Sequence, residues 1–168
     1  MGITHRGFIA ASLAAFLGYY LLGMGMAPGL VPTLLKGAAV ALLAVLALVL
    51  GRGSDGRLLA AVMALGSAGD MAIEYSQTAG AAFFLIGHVV AVWLYWRNRR
   101  EYTSTSQKAL AIALLIAIPL IAFAMPSDRA AAPLTALYAV ALAAMAAFAW
   151  TSRFSRYSVG IGAMLFVA

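Results

Sequence analysis

Apolar residues run through this chain in long, nearly unbroken stretches, and polar residues gather in the short gaps between them. A helix needs about 20 apolar residues to cross the hydrocarbon of a bilayer, with a range of about 17–25. Six stretches meet or approach that length, at 7–24, 32–51, 57–75, 79–96, 108–125 and 131–151. A seventh opens near Tyr157 and reaches Ala168 after 12 residues, too few to cross. No ten-residue alternation of apolar and polar positions supports a barrel, so helices are predicted throughout.

The gaps carry ordinary turn chemistry. Met26-Ala27-Pro28-Gly29 with Pro32 predicts the first turn, and Gly51-Arg52-Gly53-Ser54-Asp55-Gly56 the second. Ser76-Gln77-Thr78 separates the third and fourth stretches, 97–108 is the longest polar connection, and Met125-Pro126-Ser127-Asp128-Arg129 closes the fifth. Connections this short make neighbouring helices antiparallel and adjacent. The expected fold is therefore all-α: one transmembrane helix bundle over residues 1–168, with six complete spans and a partial seventh.

Basic residues fix an orientation for that bundle. Arg6, Arg52, Arg57, Arg97, Arg99, Arg100, Lys108, Arg153 and Arg156 all fall on one side of the predicted membrane. The other side has Arg129, with Lys36 just inside the second span. Lys and Arg accumulate on the cytoplasmic side, so the N-terminus is expected there. Trp93, Trp96 and Trp150 sit near the same boundary, where aromatic anchors are expected. The first stretch, after His5 and Arg6, is longer than a signal peptide's apolar core and is followed by no clear cleavage site, so it reads as a retained span.

Composition agrees with the pattern. Of the 168 residues 65% are apolar and 10% charged, with a mean hydropathy of +0.99. Soluble domains hold about 45–50% apolar and about 25% charged residues, so a bilayer must serve as solvent here. The net charge of +6 is spread between apolar stretches and not along one polar face, which points to topology and away from nucleic acid. The chain has no cysteine, which removes disulfides, thiolate nucleophiles and cysteine-ligated metals.

Ionisable groups inside spans are costly and mark candidate sites. Four stand out: Lys36, Asp70, Glu74 and His88. Counting from Arg57, Asp70 lies roughly 20 Å into the third span at 1.5 Å per residue. Glu74 follows one turn later on the same face. His88 lies about 13 Å from Arg97, near the midplane. Lys36 falls in the first turns of the second span, and Tyr138 belongs to the outer half of the sixth. Polar side chains from four spans thus converge on the outer half. Lys36 and Glu74 are also close enough to the boundary to snorkel, and His88 can serve a helix backbone. Asp70 is harder to explain by anchoring. It follows Gly66-Ser67-Ala68-Gly69, small residues that admit a close neighbour. Two carboxylates a turn apart repel when both are ionised, so Asp70 and Glu74 together suit an acid and a base in one site.

At these positions the chain resembles the YhhN family of lysoplasmalogenases. The likeness rests on Gly69-Asp70, on Ala81-Ala82-Phe83-Phe84-Leu85-Ile86-Gly87-His88, on Lys36, and on Tyr138 with Met145. It departs at Gly37, where the family often has proline, and at Ala91, where it often has tyrosine. The family resembles an eight-span bundle with a Ser-Asp pair on span seven. The stretch 160–168 is similar to the lead-in to that pair, which implies a chain that continues past Ala168 to a second intramembrane aspartate.

The resemblance implies hydrolysis of the vinyl ether of a lysoplasmalogen, a lysophospholipid, in a cell membrane, with no cofactor and no metal. Asp70 would be the central acid or base with the aspartate past Ala168 as its usual partner, His88 would assist, and Lys36 and Tyr138 would bind substrate. Glu74, which the resemblance does not supply, is a candidate substitute partner on its position alone. Other classes fit the residues too. A proton-coupled solute transporter also needs intramembrane Asp, Glu and His, and a non-catalytic subunit could pair Asp70 with a partner helix.

Overall fold

The computed structural model describes residues 3–23, 25–26 and 29–167. Ala27 and Pro28 of the first expected turn, and Ala168, lie outside the described residues. Seven α-helices are present among those described, with no strand: α1 Ile3–Gly18, α2 Leu30–Leu50, α3 Gly53–Ala72, α4 Gln77–Arg97, α5 Thr105–Ala124, α6 Ala132–Thr151 and α7 Ile161–Val167. Two wider, π-helical stretches, Tyr19–Gly23 and Arg156–Gly160, follow α1 and precede α7. The chain is all-helical, as its apolar runs predict. Four of these helices, α2, α4, α5 and α6, are long and apolar enough to cross a membrane. α1 has 16 residues, and α3 carries Asp55, Arg57 and Asp70.

The observed boundaries have local causes. α3 starts at Gly53, four residues before the predicted start, because Gly53 takes φ +67°, a left-handed conformation that a side chain would strain. Asp55 then occupies the first turn, where a carboxylate suits the helix N-terminus. α3 stops at Ala72 because the amides of Tyr75 and Ser76 both turn back to its carbonyl, at 3.0 and 2.9 Å. α5 opens with a capping box, in which Ser104 accepts from the Gln107 amide and the Gln107 side chain accepts from the Ser104 amide.

The chain divides into two compact units, 1–90 and 91–168, and the division falls inside α4. In the first unit α2 packs against both α1 and α3. Polar side chains stitch these contacts: Ser12 Oγ donates to the Ala39 carbonyl, and Ser67 Oγ donates to the Gly37 carbonyl at 2.8 Å. Glycines admit the close approaches. A Cβ at Gly37 would stand 2.5 Å from Met71 Cγ, and one at Gly69 would stand 3.0 Å from the Phe84 ring. Such small-residue seams are how helices associate where lipid removes the hydrophobic drive between them.

In the second unit α5 packs against α6, and α6 also holds the Arg156–Gly160 stretch and α7. The buried side of α6 is mostly alanine, with Ala139, Ala143, Ala146, Ala147 and Ala149 beside Met145. The unit's base is pinned by backbone: Arg99 and Ser152 form an isolated antiparallel bridge, and the Arg153 amide donates to the Asn98 carbonyl at 2.8 Å. Arg100 reinforces it, donating from Nε to the Ser152 carbonyl at 2.6 Å and from Nη2 to the Phe154 carbonyl at 3.1 Å.

In both units large apolar side chains point outward, among them Leu21, Leu30, Leu34, Ile116, Leu120, Leu134 and Leu137, each more than half exposed. In water this surface would be untenable; against lipid chains it is the ordinary exterior.

Candidate active site

The first unit gathers three of the predicted ionisable residues. Lys36 lies in the second turn of α2, Asp70 in the last turn of α3, and Glu74 in the turn that follows. Because α3 ends at Ala72, Glu74 does not continue the Asp70 face as a regular helical neighbour. It meets Lys36 instead, with Nζ and Oε1 2.9 Å apart. Both side chains keep partial access to the exterior, at 24% and 17%. Asp70 is half-buried, and its charge interacts with both Lys36 and Glu74. The acid–base pair expected from the sequence is thus a triad with a cation in it.

Packing around the triad sets this geometry. Ser67 and Met71 of α3 both address Gly37, the residue after Lys36, so α2 and α3 are in register beside the ionisable groups. Ile73, on the chain leading to Glu74, faces Gly80 of α4; a Cβ there would lie 2.6 Å from Ile73 Cβ and 2.9 Å from its Cα. The turn that carries Glu74 is therefore held against the start of α4.

Two contributors escape a reading of the sequence. Tyr19 opens the π-helical stretch after α1 and presents its ring 5.5 Å from Lys36 Nζ, a cation–π contact. Its position inside an apolar run gives no signal of that role. Tyr75 brings its hydroxyl within 3.4 Å of Thr33 Oγ1, which also donates to the Gly29 carbonyl at 2.8 Å. That contact joins the Glu74 turn to the first turn of α2.

The other two predicted residues lie on α4 and α6. His88 is buried on α4, 5% exposed, and follows Gly87, whose position facing Leu65 keeps α4 close to α3. Tyr138 belongs to the second unit, half-buried on α6, one residue before buried Ala139.

An ammonium paired with one carboxylate at 2.9 Å, with a tyrosine ring over it and a second carboxylate at the end of the neighbouring helix, can hold an anion and exchange a proton. The fold and this cluster define an all-helical membrane protein with ionisable chemistry built into its helices. Residues 31–168 match the model of the YhhN family, and the chain belongs to that family. The match spans Lys36, Asp70, Glu74, His88 and Tyr138, and leaves Tyr19 outside it. Comparison with curated proteins and with solved structures gave no match.

Proposed function

We propose that this protein is a membrane-embedded hydrolase that cleaves the vinyl ether bond of lysoplasmalogens, releasing a fatty aldehyde and a glycerophospho-alcohol. The observation that carries this reading is the Lys36–Glu74–Asp70 cluster in a member of the YhhN family. Vinyl ether hydrolysis asks for two things, a proton delivered to carbon and a negative charge near the cation that results.

The carboxylic acid of Asp70 delivers its proton to the alkene carbon distal to the ether oxygen, and the π electrons form the new C–H bond. The carbon bonded to oxygen becomes an oxocarbenium ion, stabilised by the neighbouring carboxylate. Water adds to that carbon and gives a proton back to a carboxylate. The hemiacetal then loses the glycerol oxygen as an alcohol and leaves the aldehyde. Acid and base alternate as they do in glycosidases. Low-dielectric surroundings strengthen the field on the cation.

In this reading Lys36 takes the headgroup phosphate, His88 orients water, and the apolar helices hold the alkenyl chain. The protein is multi-pass, with its N-terminus in the cytoplasm, in the cell membrane. Incubation of the purified protein with a lysoplasmalogen, with aldehyde as readout, tests the proposal directly. Release that depends on Asp70 supports it. No release, together with solute-dependent proton uptake in vesicles, would move the protein to the transporters.

A further inference from the structure

We propose that Glu74 is a headgroup latch: its carboxylate holds the place of a lysophospholipid phosphate on Lys36, and the phosphate displaces it on binding. The inference rests on Lys36 being the phosphate-binding cation of the proposed function, and it adds how that cation is kept before substrate arrives.

Four observations lead here. First, the Lys36 ammonium is already engaged, 2.9 Å from Glu74 Oε1, so an incoming anion meets an occupied cation. Second, the pair is partly open to the exterior on both sides, and open ion pairs hold weakly enough to be exchanged. Third, Glu74 stands in the turn after Ala72, not within α3, so its movement breaks no helical hydrogen bond. Fourth, Lys36 keeps a stabilising neighbour when Glu74 leaves, the Tyr19 ring at 5.5 Å.

The chemistry of the exchange is simple. A phosphodiester carries one negative charge and two unesterified oxygens, like the carboxylate it replaces, and an ammonium offers three donors to either. No bond is made or broken. A carboxylate left beside a bound phosphate would repel it, so the two anions exclude each other at Lys36. A neutral alkenyl glycerol lacks the group that opens the latch.

The test uses binding, so that it stands whether or not aldehyde is released. A saturated ether lysophospholipid, which cannot be hydrolysed at a vinyl ether, and the matching alkyl glycerol without phosphate are titrated onto the full chain in micelles. Wild type, Glu74→Gln, Lys36→Gln and the double variant are compared, with Glu74→Ala as a second replacement and helix content as the control for folding. Glu74→Gln should bind the lysophospholipid about two- to fivefold more tightly, the scale of one partly exposed ion pair removed. Its affinity for the alkyl glycerol should not change, and the gain should vanish in the Lys36→Gln background.

Equal or weaker phospholipid binding by both Glu74 variants would overturn the latch. So would a gain that persists without Lys36. Inorganic phosphate is titrated as well; a Glu74 effect of the same size on phosphate alone would mean that the latch answers to the free anion and not to a lipid headgroup. Absence of aldehyde release from a lysoplasmalogen, with these binding results intact, would remove the hydrolase reading and leave the latch standing.

Discussion

Ser67 Oγ donates to the Gly37 carbonyl across 2.8 Å, joining the residue next to Lys36 to the helix that carries Asp70 three positions later. This buried contact fixes how α2 and α3 are registered beside the ionisable groups. Ser67→Ala removes the donor and leaves the helices otherwise intact. Interhelical hydrogen bonds of this type contribute about 0.6 kcal/mol in membrane proteins, with a maximum near 1.7. We expect a loss of about 1 kcal/mol, read by reversible unfolding in mixed micelles.

Glycine positions predict a ranking. At Gly37 the obstacle is the flexible Met71 side chain, whereas at Gly80 it is Cβ and backbone Cα of Ile73. A side chain can move aside more cheaply than a backbone. Gly80→Ala should therefore be the more harmful change, by about 2–3 kcal/mol, and Gly37→Ala the milder, by about 1 kcal/mol. Thermal unfolding of the two variants checks the order. Met71→Ala combined with Gly37→Ala should recover part of the loss by clearing the collision.

Asp70→Asn keeps the size and much of the hydrogen-bonding capacity of Asp70 but cannot exchange the proton. In the proposed reaction aldehyde release should fall by about 10²–10⁴-fold, the usual worth of a positioned acid or base. Helix content should remain that of the wild type. Activity within a few-fold of wild type would remove Asp70 from the chemistry.

The Lys36–Glu74 pair should behave as a coupled unit in stability as well as in binding. Partly exposed ion pairs contribute about 0.2–1 kcal/mol, so the double-mutant cycle with Lys36→Gln and Glu74→Gln should give a coupling of that size. Unfolding of the four proteins measures it. A coupling near zero would mean that the 2.9 Å contact adds nothing to the folded state.

Sequence reasoning worked where one physical cause dominated. Long apolar runs can satisfy their backbone in lipid only as helices, and α2, α4, α5 and α6 follow the predicted stretches to within a few residues. Asp70 stands out in the sequence because a carboxylate within a predicted span is costly. Glu74 was harder to read. Its spacing of four from Asp70 suggests a shared helical face, yet the helix ends between them and a lysine 38 positions earlier takes it. Spacing reports neighbours along one helix and is blind to a partner from another. Tyr19 gave no signal for the same reason, since its role exists only once Lys36 is beside it.

Arg100 has a consequence in time. Its guanidinium grips the carbonyls of Ser152 and Phe154, the first of them 52 residues downstream. At synthesis rates of about 5–20 residues per second, those acceptors emerge about 3–10 s after the arginine that needs them. During that interval the α5–α6 hairpin is made with its base unfastened, and the clasp closes only when the second loop has left the ribosome. Lysine at this position would preserve the charge, but it has no fork to close the clasp.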